Sequence, residues 1–197
     1  LREYKNKINY KIKMKKIVII RGMVTAGKTT TSYELAKVLP DWIFIDDWKI
    51  KEMFEPLGLK DRTNLKKIAK SSMIHIMKQV INNMGNNIIV QETSKSFIMN
   101  SLKRELNKHN YRVYSFFLEV EDKDVGKRDI QREKPTRGIK KEIERGNWKN
   151  NRAVIEKGDF VINTSKNSIN KVIDIILKEI KEKRKEHLLA HLIRKSL

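Results

Sequence analysis

The chain contains no cysteine, only three prolines and eight glycines, and no apolar run long enough to span a bilayer. The missing thiols exclude disulfides, thiolate metal sites and a cysteine nucleophile, and they agree with a reducing compartment. A membrane helix needs about 20 consecutive apolar residues, whereas the run Ile17-Val18-Ile19-Ile20 is cut off by Arg21 and Gly22. The same interruption removes the apolar region that a secretory leader would need after Lys15-Lys16. A soluble cytoplasmic protein with no membrane partner is therefore expected. Acidic residues are also scarce: 24 Asp and Glu against 44 Lys and Arg leave a formal charge of +20. A field of that size speeds association with polyanions such as RNA or DNA. Dispersed lysines also make an ordinary solvated surface, and composition leaves both readings open.

Among the few glycines, two stand in a pattern with a mechanism. Gly22-Met23-Val24-Thr25-Ala26-Gly27-Lys28-Thr29 follows the form G-x-x-x-x-G-K-[ST], directly after an apolar strand-like run and before a helix-like segment that starts with Thr30. Such a loop wraps its N–H groups around a polyphosphate, with Lys28 reaching the β/γ-phosphates and the Thr29 hydroxyl placed on Mg²⁺. The expected cofactors are ATP and Mg²⁺.

Further along, Thr30, Tyr33, Leu35, Ala36, Val38 and Leu39 form a helical stripe ended by Pro40, and Trp42 to Ile45 reads as a strand. A turn-rich piece around Pro56 and Gly58 leads to a long helix from about Arg62 to Met84, with Leu65, Ile68, Ala69, Ile76, Met77, Val80 and Ile81 on one side and Gly85 as its stop. Strands are expected at Asn87–Gln91, Arg112–Val120 and Asp159–Asn163, with helices at Ser96–Lys108, about Asp122–Arg145 and from about Ser168. Alternating strands and helices with continuously apolar strands predict an α/β fold, a parallel sheet covered on both faces. Residues 14–180 form one domain in this reading. A basic extension (1–13) precedes it, because Met14-Lys15-Lys16 looks like a natural start, and a basic amphipathic helical tail (181–197) follows.

Phosphoryl transfer also needs a base for the acceptor hydroxyl and cations for the transition state. Asp46 and Asp47 end the second strand, at the sheet edge where α/β folds hold ligands. One can serve as base and the other as helix N-cap, and the expected division is Asp46 base, Asp47 cap. Glu92 and Thr93 end the third strand, where Glu92 could order the Mg²⁺ water shell or the acceptor and Thr93 could instead cap the next helix. Arg128 and Arg132 lie four apart on a predicted helix, with Arg137 beyond, as in a cationic lid; Asp129 and Glu133 could equally pair with them as surface charges. His187 and His191 share a helical spacing but have no third ligand for a metal.

Taken together, the Gly22 to Thr30 loop, Asp46-Asp47-Trp48-Lys49, Glu92-Thr93 and Arg128-x-x-x-Arg132 resemble the kinase domain of phage-type 5′-hydroxyl polynucleotide kinases. The Ala26-Gly27-Lys28 loop and Leu39-Pro40-x-Trp42 are similar to chloramphenicol phosphotransferase-like and zeta-toxin-like small kinases. The resemblance implies a P-loop kinase fold, five parallel strands in the order 2-3-1-4-5 with an Arg-rich lid. It also implies Asp46 as general base, Lys49 at the acceptor phosphate, Glu92 and Thr93 at the acceptor, Arg128 and Arg132 on the lid, and Asn163-Thr164-Ser165 near the adenine. Lys49 stands where the polynucleotide kinases have arginine, and lysine lacks the bidentate fork. The expected activity is ATP-dependent transfer to a hydroxyl, with a nucleic-acid 5′ end first, a small-molecule acceptor second and a regulatory NTPase third.

Overall fold

A computed structural model describes residues 14–53, 62–92, 94–131 and 153–181. The expected N-terminal extension, the Pro56–Gly58 turn, Thr93, Arg132, Arg137 and the rest of the lid segment, and the tail beyond 181 with His187 and His191 lie outside the described residues.

In chain order the elements are β1 (Lys15–Gly22), α1 (Lys28–Val38), β2 (Ile43–Asp46), α2 (Asp47–Glu52), α3 (Arg62–Gln79), β3 (Ile88–Gln91), α4 (Lys95–Lys108), β4 (Tyr111–Glu119), α5 (Asp122–Ile130) and β5 (Phe160–Asn163). A last helix, α6, runs over 169–181. The strands form one sheet in the order β2-β3-β1-β4-β5, and every pairing is parallel. This is the expected doubly covered sheet and strand order. No helix among the described residues is long and apolar enough to cross a membrane.

Alternation along β1 sorts the core into two layers. Ile17 and Ile19 pack with Ile88, Val90 and Ile45 against Ala69, Met73 and Met77 of α3 and Ile98, Leu102 and Leu106 of α4. Val18 and Ile20 face the other way, joining Ile89, Phe116, Leu118 and Ile162 under Leu35 of α1 and Val172, Ile173 and Ile176 of α6. Each such side chain contributes about 1.5–3 kcal/mol by leaving water, so β1, buried from Ile17 to Gly22, anchors both layers.

The helical stripes differ from expectation in detail. On α1 the buried residues are Thr31, Ser32 and Leu35, while Thr30 is exposed and Val38 is 52% exposed. Small polar side chains let this helix lie close on the sheet behind the phosphate loop. Tyr33 turns outward and meets Phe44 edge-on at 5.0 Å. On α3 the seam runs Ala69, Met73, Met77, Val80 and Ile81, leaving Ile68 and Ile76 exposed; Met73 takes the place the pattern gave to the isoleucines. The helix closes with a π turn, Val80–Met84, and Gly85 at φ 63° as its stop. Of the expected Asp122–Arg145 helix, the described part ends at Ile130.

Gly22 sets the geometry where β1 leaves the sheet. Its φ is +139°, and a Cβ there would meet the Leu118 carbonyl oxygen at 2.1 Å, the same carbonyl that accepts from the Met23 amide at 3.2 Å. Gly22→Ala is therefore expected to cost about 3 kcal/mol, a fall in the thermal midpoint of roughly 6–12 °C, measured by circular dichroism melting.

Candidate active site

The carboxyl ends of the strands bring Lys28, Asp46, Glu92, Asn163 and Thr164 to one edge of the sheet. From β1 the chain enters the phosphate loop, held by Ala26 N–H to Met23 C=O at 3.3 Å and Thr31 N–H to Gly27 C=O at 2.8 Å. Thr25 and Gly27 both have positive φ, 63° and 86°. A Cβ at Gly27 would meet nothing, so the backbone angle alone calls for glycine. Lys28 bends back over the loop, its Nζ donating to the carbonyls of Gly22 at 3.0 Å and Met23 at 2.8 Å. Thr29 and Thr30 are exposed on the first turn of α1, Met23 and Ala26 are buried, and Val24 is exposed. The first-turn amides and the Lys28 ammonium make this end of α1 attractive to an anion.

Arg128, on α5, joins this loop to the end of β5. One Nη donates to Thr164 Oγ1 at 2.9 Å and lies 3.5 Å from the Thr25 carbonyl, and the other donates to the Thr164 carbonyl at 2.7 Å. Asn163 folds its side chain over the following turn, accepting from the amides of Ser165 and Lys166 at 2.9 and 3.1 Å. Arg128 and Thr164, two of the residues expected around a nucleotide, thus meet beside the phosphate loop, and Asn163 precedes Thr164 at the end of β5.

Asp46 ends β2 with 7% of its surface exposed. Burial raises its pKa above the ordinary value of 3.8, and the Asp47 charge adds to this, while the Trp48 amide, Lys49 and Lys51 act the other way. Asp46 is also the N-cap of α2, accepting from Trp48 N–H at 2.9 Å. The expected division of roles is corrected here: Asp47 is the first helical residue and pairs with Lys51 one turn on. The cap needs an extended backbone, and Asp46 has it at φ −115°, ψ 115°. Lys49 is exposed and bonded to Glu52 at 2.7 Å, which raises its pKa. Trp48, 47% exposed, donates its indole N–H to the same carboxylate at 2.9 Å.

Glu92 lies buried just past β3. Its Oε1 accepts from Lys70 Nζ at 3.0 Å and from Ser94 N–H at 3.3 Å, and Lys70 also sits 4.9 Å from the Phe97 ring. The cap considered for Thr93 belongs to Ser94, which accepts from Phe97 N–H at 3.2 Å. Near the ends of β2 and β3, Lys49, Lys51 and Lys70 therefore each have a carboxylate partner, while Lys95 donates its Nζ to the Lys157 carbonyl at 2.7 Å.

Sequence reading missed Lys70 and, more consequentially, Arg21. The Arg21 guanidinium is 1% exposed. It bonds Asp159 at 2.5 Å, Glu156 at 2.9 Å and the Val154 carbonyl at 2.7 Å. Asp159 also accepts from Ser115 Oγ at 2.5 Å and Glu156 N–H at 2.7 Å. Glu156 in turn accepts from the Lys95 and Ser96 amides at 3.1 and 2.8 Å and from the Ser96 hydroxyl, adding a second cap to α4. Arginine directly after four apolar residues was the available signal; its partner, 138 residues away, was not predictable from spacing.

The sequence matches no protein-family model and no curated protein. Among solved structures, the Mycobacterium tuberculosis APS kinase CysC in complex with AMPPNP and APS is similar, with TM-score 0.61, 11% identity and coverage of 86% of this chain and 99% of that one. A sugar kinase from Janibacter sp. has TM-score 0.58 at 12% identity, covering 84% and 93%. A chain of the Pnkp1/Rnl/Hen1 RNA repair complex has TM-score 0.54 at 14% identity, covering 70% of this chain and 44% of that one. At these identities the likeness is one of fold.

Arg21→Met leaves the Asp159 carboxylate buried without its cation, and should cost about 3–5 kcal/mol in urea unfolding. Adding Asp159→Leu should recover a large part of the loss. Acid should weaken the same network. Burial raises the Glu156 pKa, but Ser96, Arg21 and the Lys95 amide outweigh it and leave the group below its usual value of 4.5. Its stabilising share is then present above the ordinary glutamate range and lost as pH falls through the depressed value.

Proposed function

We propose that the protein is a kinase that uses ATP and Mg²⁺ to phosphorylate a hydroxyl of a small molecule. The observation that carries this reading is a buried carboxylate of raised pKa, Asp46, at the same sheet edge as a phosphate loop. Asp46 Oδ takes the proton of the acceptor O–H, the acceptor oxygen bonds the γ-phosphorus, and the bond from that phosphorus to the bridging oxygen breaks to leave ADP. Lys28 leaves the carbonyls of Gly22 and Met23 for the β/γ-phosphates, where its charge offsets the charge that develops. Arg128 and Thr164 hold the nucleotide side, and Lys49 and Glu92 border the acceptor side; Arg132, as a further cation for the transferring group, and Thr93, as an acceptor ligand, are assigned by the sequence motifs alone.

The oxygen donors suit a hard divalent ion: the exposed Thr29 hydroxyl and the carboxylates ending β2 and β3 include no sulfur or nitrogen ligand. Among the described residues no three His, Cys, Asp or Glu side chains gather as a self-contained metal site, so Thr29, with Glu92 ordering the water shell, would hold Mg²⁺ together with the phosphates. When bound, the ion neutralises phosphate charge.

Two observations favour a small acceptor over the nucleic-acid 5′ end expected first. Lys49, Lys51 and Lys70 near the ends of β2 and β3 are already paired with carboxylates, and the fold is shared with kinases of APS and of a sugar. The polynucleotide reading keeps second place through the +20 charge and the likeness to a chain of an RNA repair complex.

Transfer of labelled γ-phosphate to a nucleoside, a monosaccharide, an aminoglycol and a 5′-hydroxyl oligonucleotide over a salt series decides between them. Labelling of a small neutral compound with little salt dependence is expected; labelling of the oligonucleotide alone, falling steeply with salt, would install the second reading. Asp46→Asn should lower transfer by about two to four orders of magnitude with ATP affinity kept, and Lys28→Ala should abolish it. Because the base must be ionised, the wild-type rate should climb with pH through a value above 3.8, and that limb should vanish in Asp46→Asn.

A further inference from the structure

Gln91 is the last residue of β3. In the sheet register it pairs with Asp46 of β2 on one side and Ile20 of β1 on the other, and directly opposed residues of parallel strands, about 4.8 Å apart, share a face. Their neighbours Ile45, Val90 and Ile19 belong to the layer under α3 and α4. Asp46, Gln91 and Ile20 therefore line the face under α1, with the amide next to the carboxylate and one strand nearer the phosphate loop. Gln91 Oε1 is buried and has no hydrogen-bond partner. Leaving such an oxygen unpaired costs about 1–3 kcal/mol, and a native fold tolerates this where a ligand supplies the donor.

We propose that Gln91 is a specificity-determining residue that accepts a hydrogen bond from a second donor on the acceptor, beside the hydroxyl whose proton Asp46 takes. The acceptor class is then a diol or an amino alcohol, with a free O–H or N–H near the phosphorylated oxygen. This rests on the acceptor side assigned above. A rival occupant is a buried water shared with Ser32, whose hydroxyl is also buried without a partner on α1.

The test uses the full chain and Gln91→Leu, which has similar bulk and no polar atom, with adenosine against 3′-deoxyadenosine and 2-amino-1,3-propanediol against 1,3-propanediol. The wild type should prefer the compound with the extra donor by about tenfold in kcat/KM. Gln91→Leu should lose that preference while keeping its KM for ATP, and its thermal midpoint should stay level or rise. A midpoint lowered by several degrees would mean that the amide is satisfied inside the fold, by the shared water, and would overturn the proposal. Preference retained in Gln91→Leu overturns it alone; a wild type that phosphorylates none of the four compounds overturns both this inference and the small-acceptor reading.

Discussion

The structure depends on a buried cation at the point where β1 becomes the phosphate loop. β1 runs through the centre of the sheet, and its residues alternate between two apolar layers until Arg21, which falls on the layer of α3 and α4 with no exposure to speak of. A guanidinium there is tolerable only if charges and carbonyls meet it, and Asp159, Glu156 and the Val154 carbonyl do so. The consequence is architectural. The stretch entering β5 must come back to the centre of the sheet, and its Glu156 must reach the start of α4. The loop on one side of Arg21 and α4 on the other are thereby referenced to a single ion cluster, which leaves the phosphate loop little freedom to shift against the end of β3.

How much of this could be read beforehand follows from the range of the interactions. Elements governed by local pattern were legible: the loop at Gly22 to Thr29, the helix stopped by Gly85, and the five apolar strands whose alternation with helices implied a parallel sheet. Strand order came from resemblance, not from spacing. The side-chain roles at the edge were less legible. Asp46 against Asp47 as cap turns on one residue's backbone angles, the capping of α4 by Ser94 is as local a matter, and neither leaves a mark in residue type. On α1, Val38 and Tyr33 looked like core by hydrophobicity, yet Thr31 and Ser32 took the buried positions, because close approach to the sheet rewards small size more than apolarity. Arg21 with Asp159, and Glu92 with Lys70, are long-range pairs, and no local pattern announces them.

Net charge and local charge point in different directions, and the local term governs an acceptor. The +20 total sums over the whole chain, and fields from exposed charges fade over a Debye length of about 8 Å at physiological salt. Near the ends of β2 and β3, Lys49, Lys51 and Lys70 face Glu52, Asp47 and Glu92 at bonding distance. Such pairs contribute little to stability when exposed. Their effect on recognition is larger, because an anionic acceptor would have to draw a lysine away from its partner before gaining its attraction, whereas a neutral one would not.

The two faces of the carboxyl edge handle buried polarity differently, and the contrast supports the proposed acceptor side more than any single residue does. Toward α3 and α4, Arg21, Asp159 and Glu92 are each held by several partners. Toward α1, Asp46 accepts from one backbone amide among the described residues, and the Gln91 oxygen next to it in the register and the buried Ser32 hydroxyl on α1 have no partner. A buried oxygen without a partner costs free energy until something supplies the donor. Beside a phosphate loop and around a carboxylate whose pKa burial has raised, such unmet polar groups are what the proposed acceptor would satisfy.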